Sequence, residues 1–320
     1  MRRREFIAGF AAWSASAHAQ STARHYRIGV LDTSARQINP NFAVLRRGLG
    51  ERGYVEGGNT TFEYRSADSR NESFAALAAE LVRLDVDVIV TRGTPAALAA
   101  RAATATIPVV MAAAGDPVGI ARGGARPAGN LTGFGAYVAG IEGRRVEILR
   151  DMLGKVERVA ALMNLSNPSR RSEWSQIEAS ARALGIEAQV LDTRTATDIE
   201  RSFDAASRGH VDALVVGSDT AVQTNQALVV GLAAAHRLPA IYTFRDFVDA
   251  GGLVSYGVSL PDLYRRAAAY VDRILQGEKP EQLLIEPPTG LELVINLHAA
   301  MALGITVPGA VLAGADEVIR

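Results

Sequence analysis

The chain has 320 residues, with 34 Lys and Arg balancing 34 Asp and Glu, and no cysteine. That length suits one large domain or two mid-sized ones, each with its own core. The even charge argues against a nucleic-acid surface, and the missing cysteines exclude disulfides, thiolate nucleophiles, Cys-ligated zinc and iron–sulfur clusters. Lys155 and Lys279 are the two lysines, and neither sits in a Schiff-base or P-loop motif.

The first predicted element is a targeting segment. Met1-Arg2-Arg3-Arg4 is basic, Phe6 to Trp13 is apolar, and Ala17-His18-Ala19 is an A-x-A site. This pattern predicts a secretory signal over residues 1–19, cut after Ala19. Arg3-Arg4-Glu5-Phe6-Ile7 fits a twin-arginine signal as well as a general secretory one. The apolar run is too short for a bilayer of ~30 Å, and no later segment reaches ~18 uninterrupted apolar residues. The expectation is an exported chain, free in the periplasm without a membrane span. A lipid anchor on an N-terminal cysteine is excluded.

From Tyr26 the chain alternates strand-like and helix-like segments. Residues 28–31 read as a strand, 42–52 as a helix and 60–64 as a strand. Phe74, Leu77, Ala78, Leu81 and Val82 share one helical face. Residues 86–91 form a buried-type strand. Thr94 caps a helix with Pro95 at its first position, and 109–113 is the next strand. The order then repeats: strand 159–163, a helical face of Trp174, Ile177, Ala181 and Leu184, strand 188–191, helix 198–207, strand 212–216, helix 223–236 and strand 240–243. Val86-Asp87-Val88-Ile89-Val90 matches Val211-Asp212-Ala213-Leu214-Val215. Ile107-Pro108-Val109-Val110 matches Leu238-Pro239-Ala240-Ile241. Two such runs predict two doubly wound α/β lobes, each a parallel sheet covered on both faces and joined by a hinge. Leu263, Ala267, Tyr270, Val271, Ile274 and Leu275 predict one long amphipathic helix. Residues 293–297 read as a strand and 298–303 as a short helix. The expected boundaries are 24–138 with 251–320 for the first lobe and 139–250 for the second.

In doubly wound sheets ligands bind outside the carboxyl ends of the strands. Those ends hold Asp32-Thr33-Ser34, Arg92-Gly93-Thr94, Gly115-Asp116, Asn164 to Ser169, Ser218-Asp219-Thr220 and Thr243-Phe244. Gly93-Thr94 opens a helix whose free N–H groups favour an anion. Ser218-Asp219 opens another, and Asp219 also suits a ligand ammonium. A plain cap that binds nothing competes with both readings. Asn164 and Asn167 are candidate hydrogen-bond donors. Tyr242, Phe244 and Tyr256 are candidate walls, although most aromatics are packing residues. The histidines have no metal spacing, and there is no G-x-S-x-G or Walker motif. No catalytic residue, metal site or cofactor is therefore expected, and the protein is read as a non-enzyme. An exported hydrolase using Asp116 or Asp219 as base is the alternative, as is a ligand-sensing domain for a membrane receptor.

Five segments carry a resemblance: Gly48 to Gly57, Ala76 to Ala100, Gly115-Asp116-Pro117-Val118 with Gly129 to Gly133, Arg237 to Leu260, and Glu292 to Arg320. The chain resembles the bacterial ABC-transporter substrate-binding proteins of the tryptophan/tyrosine type. That resemblance implies a type I periplasmic-binding-protein fold whose lobes close on a small ligand and present it to a membrane permease. Members are associated with aromatic or other amino acids. The resemblance implies that Gly93-Thr94 holds a carboxylate, Asp219 an amino group, and Asn164 and Tyr242 further contacts. Arg122 to Pro127 departs from the longer Leu/Ala-rich stretch usual in relatives. A monomer with a small-molecule ligand, a permease partner and no nucleic acid is expected.

Overall fold

The computed structural model describes residues 24–68, 70–121 and 129–320. The signal read over 1–19 and the departure at Arg122 to Pro127 lie outside them. The strands are β1 (Tyr26–Asp32), β2 (Thr60–Ser66), β3 (Val88–Arg92), β4 (Val109–Ala114), β5 (Leu131–Gly135), β6 (Arg158–Met163), β7 (Glu187–Asp192), β8 (Ala213–Val216), β9 (Ala240–Tyr242), β10 (Val254–Val258), β11 (Ile285–Glu286), β12 (Leu291–Asn296) and β13 (Glu317–Ile319). They form two sheets, ordered β11-β5-β4-β3-β1-β2 and β13-β12-β10-β9-β8-β6-β7. Every pairing is parallel except β10 with β12. Reading outward from the second strand of each half, both sheets run 2-1-3-4-5. The internal match seen in the sequence is thus a repeat of topology.

Parity of side chains builds each lobe. Ile28 and Val30 on β1, with Val88 and Val90 on β3, face the helices Pro40–Gly50 and Leu260–Leu275 through Phe42, Leu45, Leu263 and Tyr264. Leu31, Ile89 and Met111 face the opposite way, onto Phe74, Leu81, Ala96 and Ala100. In the second lobe, Val159, Ala161 and Met163 meet Val146, Leu149 and Ile177, while Ala160 and Leu162 meet Phe203 and Val229. Each such buried Val, Leu, Ile or Phe contributes about 1.5–3 kcal/mol. Strands covered on both sides must therefore be apolar nearly throughout.

Among the described residues the chain crosses between lobes three times: at residues 136–140, at Ser259, and at residues 287–290. This corrects the expected boundaries. Residues 254–258, 291–296 and 317–319 belong to the second sheet, because β10 extends it parallel to β9 and β12 then pairs antiparallel to β10. The segment from Leu260 to Glu286 returns to the first lobe.

The longer elements absent from the sequence reading are β5, the helix Ile141–Leu153 and β10; the short β11, β13 and helices Pro117–Ala121, Asp246–Asp249 and Gly309–Ala313 are absent from it too. β5 and β10 carry glycines that lower strand propensity. Their reason is close approach. A Cβ on Gly133, at φ +127°, would stand 2.2 Å from the Met111 carbonyl oxygen, and one on Gly257 would stand 1.8 Å from that of Thr243. The helix expected over 223–236 is broken at Asn225, giving Thr220–Thr224 and Gln226–Ala235.

Candidate functional site

The carboxyl ends of β3 and β4 face those of β6 and β8 across the lobe junction. Thr94 Oγ1 and Ser169 Oγ lie 2.9 Å apart, both buried, so the lobes touch. Arg92 Nη2 donates to Gln223 Oε1 at 2.8 Å, and Thr224 Oγ1 donates to the Thr33 carbonyl at 2.9 Å. Beside the Thr94–Ser169 contact lies a cavity of about 470 Å³, within the range of about 300–1,000 Å³ common for small-molecule sites. The first lobe lines it with Thr94, Leu98, Gly115, Asp116, Gly119 and Ile120. The second supplies Pro168, Ser169, Ser172 and Glu173, and Tyr137 comes from the first crossing.

Two helix N-termini open onto this cavity from opposite lobes. Gly93, at φ +84°, precedes the helix Thr94–Ala103. Asn167 caps the helix Pro168–Ala183 by accepting from the Ser169 N–H. In both, a proline in the first turn removes a donor that would have had no intrahelical partner. The two positive helix ends converge on one point, which favours an anionic group there. Leu98, Ile120, Tyr137 and Pro168 give the cavity its apolar wall.

Behind the second-lobe wall is a buried charged layer. Arg170 is paired with Glu173, and its Nε lies 3.6 Å from Asp219 Oδ1. Glu142 is paired with Arg145, whose Nε donates to the Tyr256 carbonyl at 2.8 Å. Burial pushes the Glu173 carboxyl up to about 8, against the pull of Arg170, and Glu142 adds to the rise. Asp219 Oδ2 accepts from the Asn164 N–H at 2.7 Å, and its Oδ1 accepts from Asn167 Nδ2 at 3.2 Å. Burial raises the Asp219 carboxyl as well, with Arg170 and these hydrogen bonds opposing.

A family model for ABC transporter substrate binding proteins matches residues 41–319. The chain belongs to that family. A conserved domain protein from Vibrio cholerae is 28% identical, with a TM-score of 0.83 over 92% of this chain and all of that one. An ABC domain from Streptococcus pneumonia, solved in complex with L-Trp, is 26% identical, with a TM-score of 0.82 over 92% of this chain and all of that one. A tyrosine-binding protein of Clostridioides difficile is 23% identical over 259 residues, covering 80% of this chain and 74% of that protein. The fold is that of the type I periplasmic binding proteins, and amino-acid-binding proteins are among the relatives.

In this substrate-binding protein the sequence-predicted residues fall into three groups. Thr94, Gly115 and Asp116 line the cavity, and Gly93 shapes the helix end beside it. Asn164, Asn167 and Asp219 are brought together, but beneath the wall, with Asp219 1% exposed. The ammonium role expected for Asp219 does not fit this position. Ser218 lies on the loop before it, outside the cavity lining. The third group serves the lobes themselves. Asp32 is saturated by the Ser34 N–H, Asn39 and Tyr264. Tyr242 stacks on Phe247 inside the second lobe, with ring centroids 4.9 Å apart, and Phe244 packs into the first-lobe core beneath Arg92. Tyr256 touches an outer groove.

Sequence reasoning missed Leu98, Ile120, Tyr137, Ser172, Glu173 and Gln223. A signal existed for the second-lobe group: Ser169, Ser172 and Glu173 stand at i, i+3 and i+4 of a helix that begins at a strand end, so they share the face toward the cleft. Arg92 was within a strand-end segment, but its reach across the junction to Gln223 is a tertiary fact. Among the described residues, no helix is long and apolar enough to cross a membrane.

Proposed function

We propose that this protein is the periplasmic, non-enzymatic solute receptor of an ABC importer. It closes its two lobes around an amino acid or aromatic carboxylate and delivers it to a membrane permease. The observation that carries this reading is the cavity walled by both lobes beside the Thr94–Ser169 contact. A ligand seated there touches both lobes only when they are closed, so binding draws the open–closed equilibrium toward closure. Its carboxylate meets the paired helix ends at Thr94 and Ser169, and its side chain lies against Leu98, Ile120 and Tyr137. The Trp-bound and tyrosine-binding relatives support an aromatic amino acid as the first ligand to try. Residues 1–19 supply the export signal in this reading.

The test is a thermal-shift screen of the protein from residue 20 onward against the amino acids and aromatic acids. A ligand that binds only the native state raises the melting temperature, by about 2.7 kcal/mol of stabilisation at a hundred times its Kd. No shift with any of them, together with turnover of an ester or amide, would overturn the receptor reading in favour of a hydrolase.

A further inference from the structure

Glu173 occupies an unusual position. Its side chain is 5% exposed, yet it lines the interlobe cavity. It belongs to a buried layer of three carboxyl groups, Glu142, Glu173 and Asp219, against two guanidinium groups, Arg145 and Arg170. The layer therefore lacks one positive charge when every member is ionised. The pairing is incomplete in detail too: Glu142 Oε2 and Arg170 Nε are buried without a hydrogen-bond partner among the described residues. A buried, uncompensated carboxylate is costly and takes up a proton instead. Asp219 is covered by Asn164 and Asn167 and does not reach the cavity. Glu173 does, so the missing charge is most directly supplied from the cavity side.

The spacing suits one head group. Ser169 and Glu173 are one helical turn apart, about 5–6 Å along the axis. An α-amino acid with its carboxylate at the Thr94 and Ser169 helix ends has its ammonium directed along that turn. Resting on the receptor reading above, we infer that Glu173 receives the ligand's ammonium and releases a proton to solvent as it does so, making an amine-bearing ligand obligatory. Before binding, Glu173 carries the proton. On binding, its carboxylate pairs with the ammonium, and the proton leaves to bulk water. The groups facing Glu173 are Arg170 on its own helix, Glu142 and Arg145 on the helix Ile141–Leu153, Asp219 after β8, and Asp116 and Tyr137 across the cavity. Burial raises the Glu173 carboxyl above its ordinary range, with Glu142 and Asp219 adding to the rise and Arg170 and Arg145 opposing it, which favours the protonated form that such a release requires.

The experiment is isothermal titration of the protein from residue 20 with L-tryptophan and L-tyrosine, and with their des-amino analogues indole-3-propionate and 3-(4-hydroxyphenyl)propionate. Titrations run in phosphate and in Tris from pH 6 to 9. The expected result is a binding enthalpy that differs between buffers, reporting up to about one proton released at pH 7. Affinity should rise by up to ~10-fold per pH unit while the unliganded Glu173 is protonated and level off once it is ionised in the free protein. The des-amino analogues should bind at least ~100-fold more weakly, and Glu173→Gln should lose both the buffer dependence and the pH dependence. Wild-type binding that is independent of buffer and pH overturns the inference while leaving the receptor reading intact, as does equal affinity for the des-amino acids. No binding of any of the four compounds overturns this inference, and the broader screen above then decides the receptor reading separately. Because the wild-type titrations carry the decision, it does not depend on Glu173→Gln folding.

Discussion

Asp219→Ala separates a ligand-contacting carboxylate from a structural one. The side chain is wholly buried and holds the Asn164 N–H at 2.7 Å and the Asn167 amide at 3.2 Å, with Arg170 Nε at 3.6 Å. Truncation leaves a buried backbone donor and a buried amide donor unpaired, each costing about 1–3 kcal/mol. It also strips Arg170 of one of its two carboxyl partners, the other being Glu173. Removing one partner of a buried ion pair costs about 3–5 kcal/mol. These losses overlap, because the same carboxylate serves all three groups, so the expected destabilisation is about 3–5 kcal/mol. At about 2–4 °C per kcal/mol for large domains, the melting temperature should fall by roughly 10 °C. Asp219→Asn should lose nearly as much, since either orientation of its amide points an N–H₂ at a donor. The assay is thermal unfolding followed by circular dichroism without ligand. A midpoint within 2 °C of wild type, with ligand affinity abolished, would refute the reasoning and return Asp219 to the ligand.

Gln223→Ala removes a hydrogen bond to Arg92 that exists only while the lobes meet. A bond to a charged group is worth about 1.5–3 kcal/mol, so apparent ligand affinity should drop roughly 10- to 100-fold with no change in melting temperature above 3 °C; unchanged small-angle scattering and affinity would count against the contact as a closure element. Gly133→Ala places a Cβ 2.2 Å from the Met111 carbonyl oxygen at φ +127°, and should cost at least about 3 kcal/mol, read as loss of soluble expression or of the cooperative transition. Thr195 and Asp198 form a reciprocal cap on the helix Ala196–Arg208, and the Thr195 hydroxyl, with the Arg194 and Thr195 N–H groups, holds the Asp198 carboxyl below its usual range. A depressed acid stabilises the fold above its unfolded value near 4 and stops doing so as pH falls through the folded one, so Asp198→Ala should lower stability by ~1 kcal/mol at pH 7, with the difference from wild type shrinking below about pH 4 in denaturant titrations.

Much of the architecture was legible because buried parallel strands and amphipathic helices must show their periods. Residues 109–113 and 159–163 are unbroken apolar runs, and Leu263 to Leu275 marks a single helical face. The cleft was legible in outline for a similar reason: strand ends in this topology carry caps, so Thr94, Gly115 and Asp116 were found from small polar residues after apolar runs. The type of each lobe, the repeat of one half in the other and the family were determined by the sequence alone. Which lobe owns residues 254–258 and 291–320 was decided by β10 pairing with β9 and β12 with β10, and a five-residue strand has no period long enough to announce its partner. The division between lining and supporting residues was also a tertiary matter. Asp219 and Asp116 look alike after their strands, yet Asp219 is sealed under Asn164 and Asn167 while Asp116 opens onto the cavity. Glu173 was passed over because a helical glutamate is ordinarily a solvated one. It becomes a buried acid only because helix Ile141–Leu153 brings Glu142 and Arg145 against it and the first lobe closes over the remaining side. Local pattern fixes what a segment becomes, but burial, and with it the chemistry of a titratable group, depends on what distant segments leave uncovered.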